Sequence, residues 1–198
     1  MTRQINPMAL IRQLLDESGC IPALTMYQPW GSLLACEAKQ YETRGWATKY
    51  RGWMLIHAGK AQDHWFGDCD KPYLRAVYDA LKPVFYPQTM CNQSDLQNAA
   101  PYGKIIAIAE LVNCWRMVYH PGTDVDEALK IEIGAELDVP KHHPDFHRFI
   151  VPTEQELLFG DWTPGRYAWE FANMTMLPEP IPAKGMQRLW RWKGEGAA

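Results

Sequence analysis

The apolar residues Met8, Ile11, Leu14 and Leu15 recur at helical spacing and Gly19 stands where such a helix would stop, so residues 8–18 read as a helix. Ile21 to Met26 follows as a short apolar run, a first strand. Gln28-Pro29-Trp30 then opens a second helix, because proline at the first helical position gives up an amide bond that would not have formed, and Trp30, Leu33 and Leu34 supply an inward face. Tyr41 to Arg44 reads as extended, with Glu42 and Arg44 on one side and Thr43 on the other. Trp53, Leu55 and His57 alternate with Met54 and Ile56 in a further strand, whose end puts His57 at a rim.

Residues 61–82, anchored by Trp65, Phe66, Leu74, Val77, Tyr78 and Leu81, read as helical, and 83–103, with Pro83, Pro87 and Pro101, as a loop. Gly103 to Met117 is the longest strand candidate; Glu110 interrupts one of its apolar faces, and a carboxylate there needs a partner or a ligand. The stretch 121–160 carries nine acids against three Lys or Arg and reads as a helix with surface loops. Arg166 to Phe171 alternates as a strand, and 177–192 contains Pro178, Pro180 and Pro182 before Leu189-Trp190-Arg191-Trp192. Strands with intervening helices and no regular βαβ alternation predict an α+β domain built on a small β-barrel. Residues 1–20 are expected to form an N-terminal helical extension, 21–192 the domain with its helical and acidic insertions, and 193–198 a flexible tail.

At 198 residues the chain has the length of one well-buried domain, and its 47% hydrophobic and 22% charged residues exclude wholesale disorder. No apolar run approaches the roughly 18–20 residues of a membrane span, and a cytoplasmic protein without membrane contact is expected. The five cysteines, Cys20, Cys36, Cys69, Cys91 and Cys114, are widely spaced without a Cys-x-x-Cys pair, and free thiols are expected. His142-His143-x-Asp145-x-His147 lacks a familiar zinc spacing, so neither a metal nor another cofactor is expected.

The net charge is −3, but residues 21–60 hold five Lys or Arg against two Glu, and 184–193 hold four cations without an acid. A locally basic surface suits an anionic ligand. Nine Trp and nine Tyr add stacking surface beyond the demands of an ordinary core.

Gln28-Pro29-Trp30, Lys39-x-x-Glu42-x-Arg44-x-Trp46, Tyr50-Arg51-Gly52 and Ile56-His57-Ala58 resemble the ASCH domain family. Gly103-Lys104-Ile105-Ile106, Glu110-Leu111, Tyr167-Ala168-Trp169-Glu170, Lys184-Gly185 and Leu189-Trp190 continue the resemblance. It implies a PUA-like β-barrel with an adjacent cleft, related to modules that bind RNA or modified nucleobases. Members are thought to act in RNA metabolism and transcription coactivation, and a few look like enzymes.

Lys39, Glu42 and Arg44 form the strongest candidate set: the cations could hold a phosphate while the carboxylate accepts from a base amino group or polarises a water. A salt-bridged edge strand is the structural alternative. Trp30, Trp46 and Tyr167 could stack a base, Gln28 could read a base edge, and His57, Lys60 and Glu110 could line the same cleft. Core packing for Trp30 and a backbone-bonded histidine for His57 remain open alternatives. Amidohydrolases of the family use Lys-x-x-Thr-x-Arg with the Thr as nucleophile. Here Glu42 occupies the Thr position, which removes that hydroxyl. Nucleic-acid binding, to RNA or a modified nucleotide with DNA possible, is therefore the first expectation. A ribonuclease or nucleoside hydrolase using Lys39 and Glu42 is the second, and a protein-interaction adaptor the third.

Overall fold

The computed structural model describes residues 5–61, 72–86, 92–119, 129–132, 149–150 and 152–194. They fall into two compact units. The first comprises residues 1–38, 53–110 and 173–198, the second residues 39–52 and 111–172.

The first unit opens with α1 (Pro7–Ser18). Asn6 Oδ1 accepts from the Met8 and Ala9 amides at 3.1 Å, and Gly19, at φ 68, ends the helix in the left-handed region that glycine enters without steric cost. Ile11, 3% exposed, docks α1 on a core with Ile21, Ala23, Leu55, Ile105, Ile108, Leu177, Ile181 and Trp190. Burying such a side chain contributes about 2 kcal/mol. The strands are β1 (Ile21–Met26), β3 (Gly52–Ala58), the leading part of β4 (Lys104–Tyr119), the trailing part of β7 (Tyr167–Pro182) and β8 (Leu189–Trp192). Their order here is β7-β4-β3-β1-β8; β1 runs parallel to β3, with Ala23 opposite Leu55, and antiparallel to β8, with Ala23 opposite Trp190.

One prediction here needs correction. The segment 83–103 is not a plain loop: α3 (Pro72–Phe85) runs through Pro83, and α4 (Gln93–Ala99) follows an Asn92/Asp95 capping box. Pro83 lies in the last turn, where its missing N–H costs one helical bond and the helix continues. The upstream part of the predicted 61–82 helix, residues 62–71, lies outside the described residues.

The strand β7 extends unbroken to Pro182, through all three C-terminal prolines. Pro178, Pro180 and Pro182 fall at alternate positions, so all three direct their missing N–H to the same side of the strand. Ala183 N–H reaches Gly103 O at 3.1 Å, so by alternation over residues 178–183 the odd-numbered N–H groups face the β4 side and the prolines face the other.

The second unit contains β2 (Tyr41–Arg44), the trailing part of β4, the leading part of β7, β5 (Leu129–Glu132), β6 (Phe149–Ile150) and α5 (Glu154–Leu158). β2 pairs antiparallel with β7, β4 pairs with both β7 and β5, and β6 pairs with β5. The acidic stretch therefore contributes two strands that its composition hid, besides a short helix. Tyr41, Trp115, Met117, Trp162 and Ala168 form the local core. The His142–His147 group lies outside the described residues.

Candidate nucleic-acid interface

Register decides which side chains meet in the second unit. Glu42 stands opposite Trp169 and Arg44 opposite Tyr167, and opposite residues of an antiparallel pair share a face. Thr43, opposite Ala168, turns the other way, as alternation predicts, and its Oγ1 accepts from the Asp161 amide at 2.9 Å. The hydroxyl next to Glu42 thus braces the turn after α5 and does not join the Glu42 face.

The Lys39 side chain is 1% exposed; its Nζ donates to Glu42 Oε2 at 3.0 Å and to the Phe159 carbonyl at 2.8 Å. On the other side of Glu42, Arg44 Nε makes an ion contact of 3.1 Å with Oε1, without the alignment of a hydrogen bond. The result is a chain of alternating charge from a buried ammonium, through a carboxylate 10% exposed, to a guanidinium whose side chain is 25% exposed. Only the arginine end meets solvent to any extent. Beside it, Tyr167 is half-buried, and half-buried Trp46 packs edge-on against Trp169 at 4.6 Å, with Trp169 Nε1 donating to Trp46 O. Lys39, Glu42, Arg44, Trp46 and Tyr167 therefore all lie in this unit.

One participant escaped the sequence reading. Glu156 follows Thr153 in the Thr-x-x-Glu pattern of a capping box, and Thr153 Oγ1 does accept from the Glu156 amide. Its carboxylate, however, leaves the box: Oε1 accepts from the Gln40 amide, and the buried Oε2 has no hydrogen-bond partner among the described residues. Burial pushes the Glu156 carboxyl above its usual range and the charge of Glu42 adds to this. The Gln40 and Tyr41 amides and the charge of Lys39 work in the opposite direction. Thr153-x-x-Glu156 predicts a helix start, and only the fold carries this carboxylate to the foot of β2.

The other candidates lie in the first unit. Gln28 is 2% exposed, and its amide links Pro101 O, 2.9 Å from Nε2, to the Ser32 amide, 3.1 Å from Oε1. That amide holds α2 (Trp30–Ala35) and the turn before β4 in place. Trp30 is half-buried, its ring 6.3 Å from that of Tyr73. His57 was expected at a rim but is 1% exposed: Nε2 lies 3.1 Å from Ala183 O, and the ring meets Trp190 edge-on at 5.7 Å. Burial pushes its pKa down; the Ala183 carbonyl opposes this and the charge of Lys60 reinforces it. Glu110, half-buried, accepts from Asn173 Nδ2 at 2.8 Å, the partner its strand position demanded. Lys60 is exposed.

Among the described residues no group of His, Cys, Asp and Glu is arranged to hold a metal ion, Cys20, Cys36 and Cys114 are free, and no helix is long and apolar enough to cross a membrane.

Fold and site together define an α+β protein of the PUA-like kind, with an ion chain set beside aromatic side chains on a strand pair. The ASCH domain family model matches residues 24–180, and the chain belongs to that family. Comparison with curated proteins gives no match.

Proposed function

We propose that this protein binds RNA, or a modified nucleotide, on the β2–β7 face of its second unit. The observation that carries the reading is the pairing of Arg44 with Tyr167 at the exposed end of the Lys39–Glu42–Arg44 chain. A guanidinium beside an aromatic ring can take a phosphate while the ring stacks a base. Both Glu42 oxygens are engaged by cations, so Glu42 orients Arg44, and Lys39 anchors Glu42 from within. Trp46 extends the aromatic surface. Membership of a family generally thought to bind RNA supports the same reading.

Fluorescence anisotropy with single-stranded RNA, titrated across salt, tests it. Binding is expected to weaken as salt rises, because phosphate contacts release counterions. Arg44→Gln and Tyr167→Ala are each expected to weaken binding by about tenfold or more. Equal affinity of both variants and parent would remove this face from the interface.

A hydrolytic reading draws on Glu156, a buried carboxyl with a raised pKa near Lys39. It predicts turnover of RNA or a modified nucleoside that Glu156→Gln abolishes. A parent protein without turnover on either substrate ends that reading.

A further inference from the structure

Five strand ends of the first unit meet at one end of its sheet: β1, β3 and β7 finish there, and β4 and β8 begin. Short backbone bonds tie them together. Gly59 N–H reaches Met26 O at 2.8 Å, Gly103 N–H reaches Ala58 O at 2.8 Å, and Ala183 N–H reaches Gly103 O at 3.1 Å. His57 lies beneath, bonded to Ala183 O.

The stretches that emerge at this rim, residues 27–29, 59–61, 101–103 and 183–188, contain no Asp or Glu, although the chain carries a net charge of −3. Lys60, Lys184 and Arg188 are all exposed there, and none forms an ion pair among the described residues. Each is positioned by a close backbone approach or a turn. A Cβ on Gly103 would lie 2.8 Å from Lys60 Cγ, so the lysine stem lies along that glycine while its ammonium faces water. Gly185 rests directly on the His57 ring, where a Cβ would meet Cε1 at 2.3 Å, and this fixes the segment that carries Lys184. Arg188 takes φ 61, a left-handed conformation more readily adopted by glycine or asparagine, in the turn before β8.

Between these cations stands Tyr27, 59% exposed, its ring edge 3.8 Å from where a Cβ of Gly59 would sit. An open aromatic face among unpaired cations, on supports fixed by the sheet, has the composition of a single-strand nucleic-acid platform. A duplex would offer Tyr27 no unstacked base.

We infer that this rim is a contact surface for single-stranded RNA, on which Tyr27 stacks a base while Lys60, Lys184 and Arg188 take phosphates. The inference rests on the RNA-binding reading but uses residues of the other unit, so the two can fail separately. The probe is a labelled single-stranded RNA of roughly 12 nucleotides, titrated by anisotropy between about 50 and 200 mM salt. The triple variant K60Q/K184Q/R188Q is expected to bind at least about tenfold more weakly at the lowest salt, with the slope of log affinity against log salt shallower by about 2. Tyr27→Ala is expected to weaken binding about fivefold or more with the slope unchanged. All four positions are exposed, so melting temperatures should stay at the parent value. Rim variants that bind like the parent while Arg44→Gln binds weakly overturn the rim alone. Weak rim variants with an unaffected Arg44→Gln support the rim and count against the β2–β7 face. A parent that binds no RNA overturns both, and competition by polyglutamate as strong as by RNA overturns the rim as an RNA surface.

Discussion

Lys39 Nζ and Glu42 Oε2 stand 3.0 Å apart, with 1% of the lysine side chain and 10% of the glutamate side chain exposed. A pair so enclosed costs desolvation to form but costs more to break, because removing one partner strands the other. Lys39→Ala is expected to destabilise the protein by about 3 kcal/mol, read as a lowered urea midpoint at unchanged slope. The double variant Lys39→Met with Glu42→Gln should cost less than the sum of the two single changes, the signature of coupling. An unshifted midpoint for Lys39→Ala would mean the pair contributes nothing.

Glu156 provides the second prediction. Its pKa is raised in the folded state, mainly by burial, so folding favours the protonated form. Its contribution is complete below the ordinary glutamate value of about 4.3 and is lost as pH rises through the folded pKa. In Glu156→Gln this loss cannot occur. The stability of the variant relative to the parent should therefore increase with rising pH across that window, measured by chemical denaturation. A constant difference between the two would contradict the assignment.

His57 behaves with the opposite sign. Burial lowers its folded pKa, so folding favours the neutral ring. That contribution is fully present above the ordinary histidine value of about 6.5 and is lost as pH falls through the folded pKa. Following the ring by NMR should give a midpoint below the ordinary value, and His57→Gln should flatten the fall in stability on acidification. A midpoint at or above the ordinary value would refute the burial argument.

Glycine substitutions test the close packing. Gly185→Ala would place a Cβ 2.3 Å from His57 Cε1 and 2.8 Å from Thr25 Oγ1, and neither neighbour is the loose end of a flexible chain. A loss of about 3 kcal/mol is expected. Gly31→Ala in α2 meets nothing nearer than Ile106 Cδ1 at 3.6 Å and should be neutral or stabilising by about 0.5–1 kcal/mol. Equal melting temperatures for the two variants would show that the His57 ring can yield.

Elements whose determinants are local could be read from the chain. The helix ending at Gly19, the alternation of Tyr41–Arg44 and the strand beginning near Tyr167 each carry their signal within a few residues, and the structure has them where that signal points. The opposed directions of Glu42 and Thr43 followed from strand geometry alone. Pro83 inside a helix and three prolines inside β7 could not be read this way, because proline is judged by the bond it lacks. Whether that bond was needed depends on the position in a turn or the side of a strand.

The sequence by itself determined the family, the α+β class and the candidate triad of Lys39, Glu42 and Arg44, since residue types at short spacing carry those signals. Only the tertiary structure decided how each charge is used. It buried Lys39 against the Phe159 carbonyl, 120 positions away, brought Glu156 to the Gln40 amide and enclosed His57 against Ala183. It also left the Arg44 side chain 25% exposed while that of Lys39 is 1% exposed. The physical reason is that exposure and ion pairing depend on neighbours distant in sequence, whereas periodicity and capping depend on neighbours within a turn or a strand.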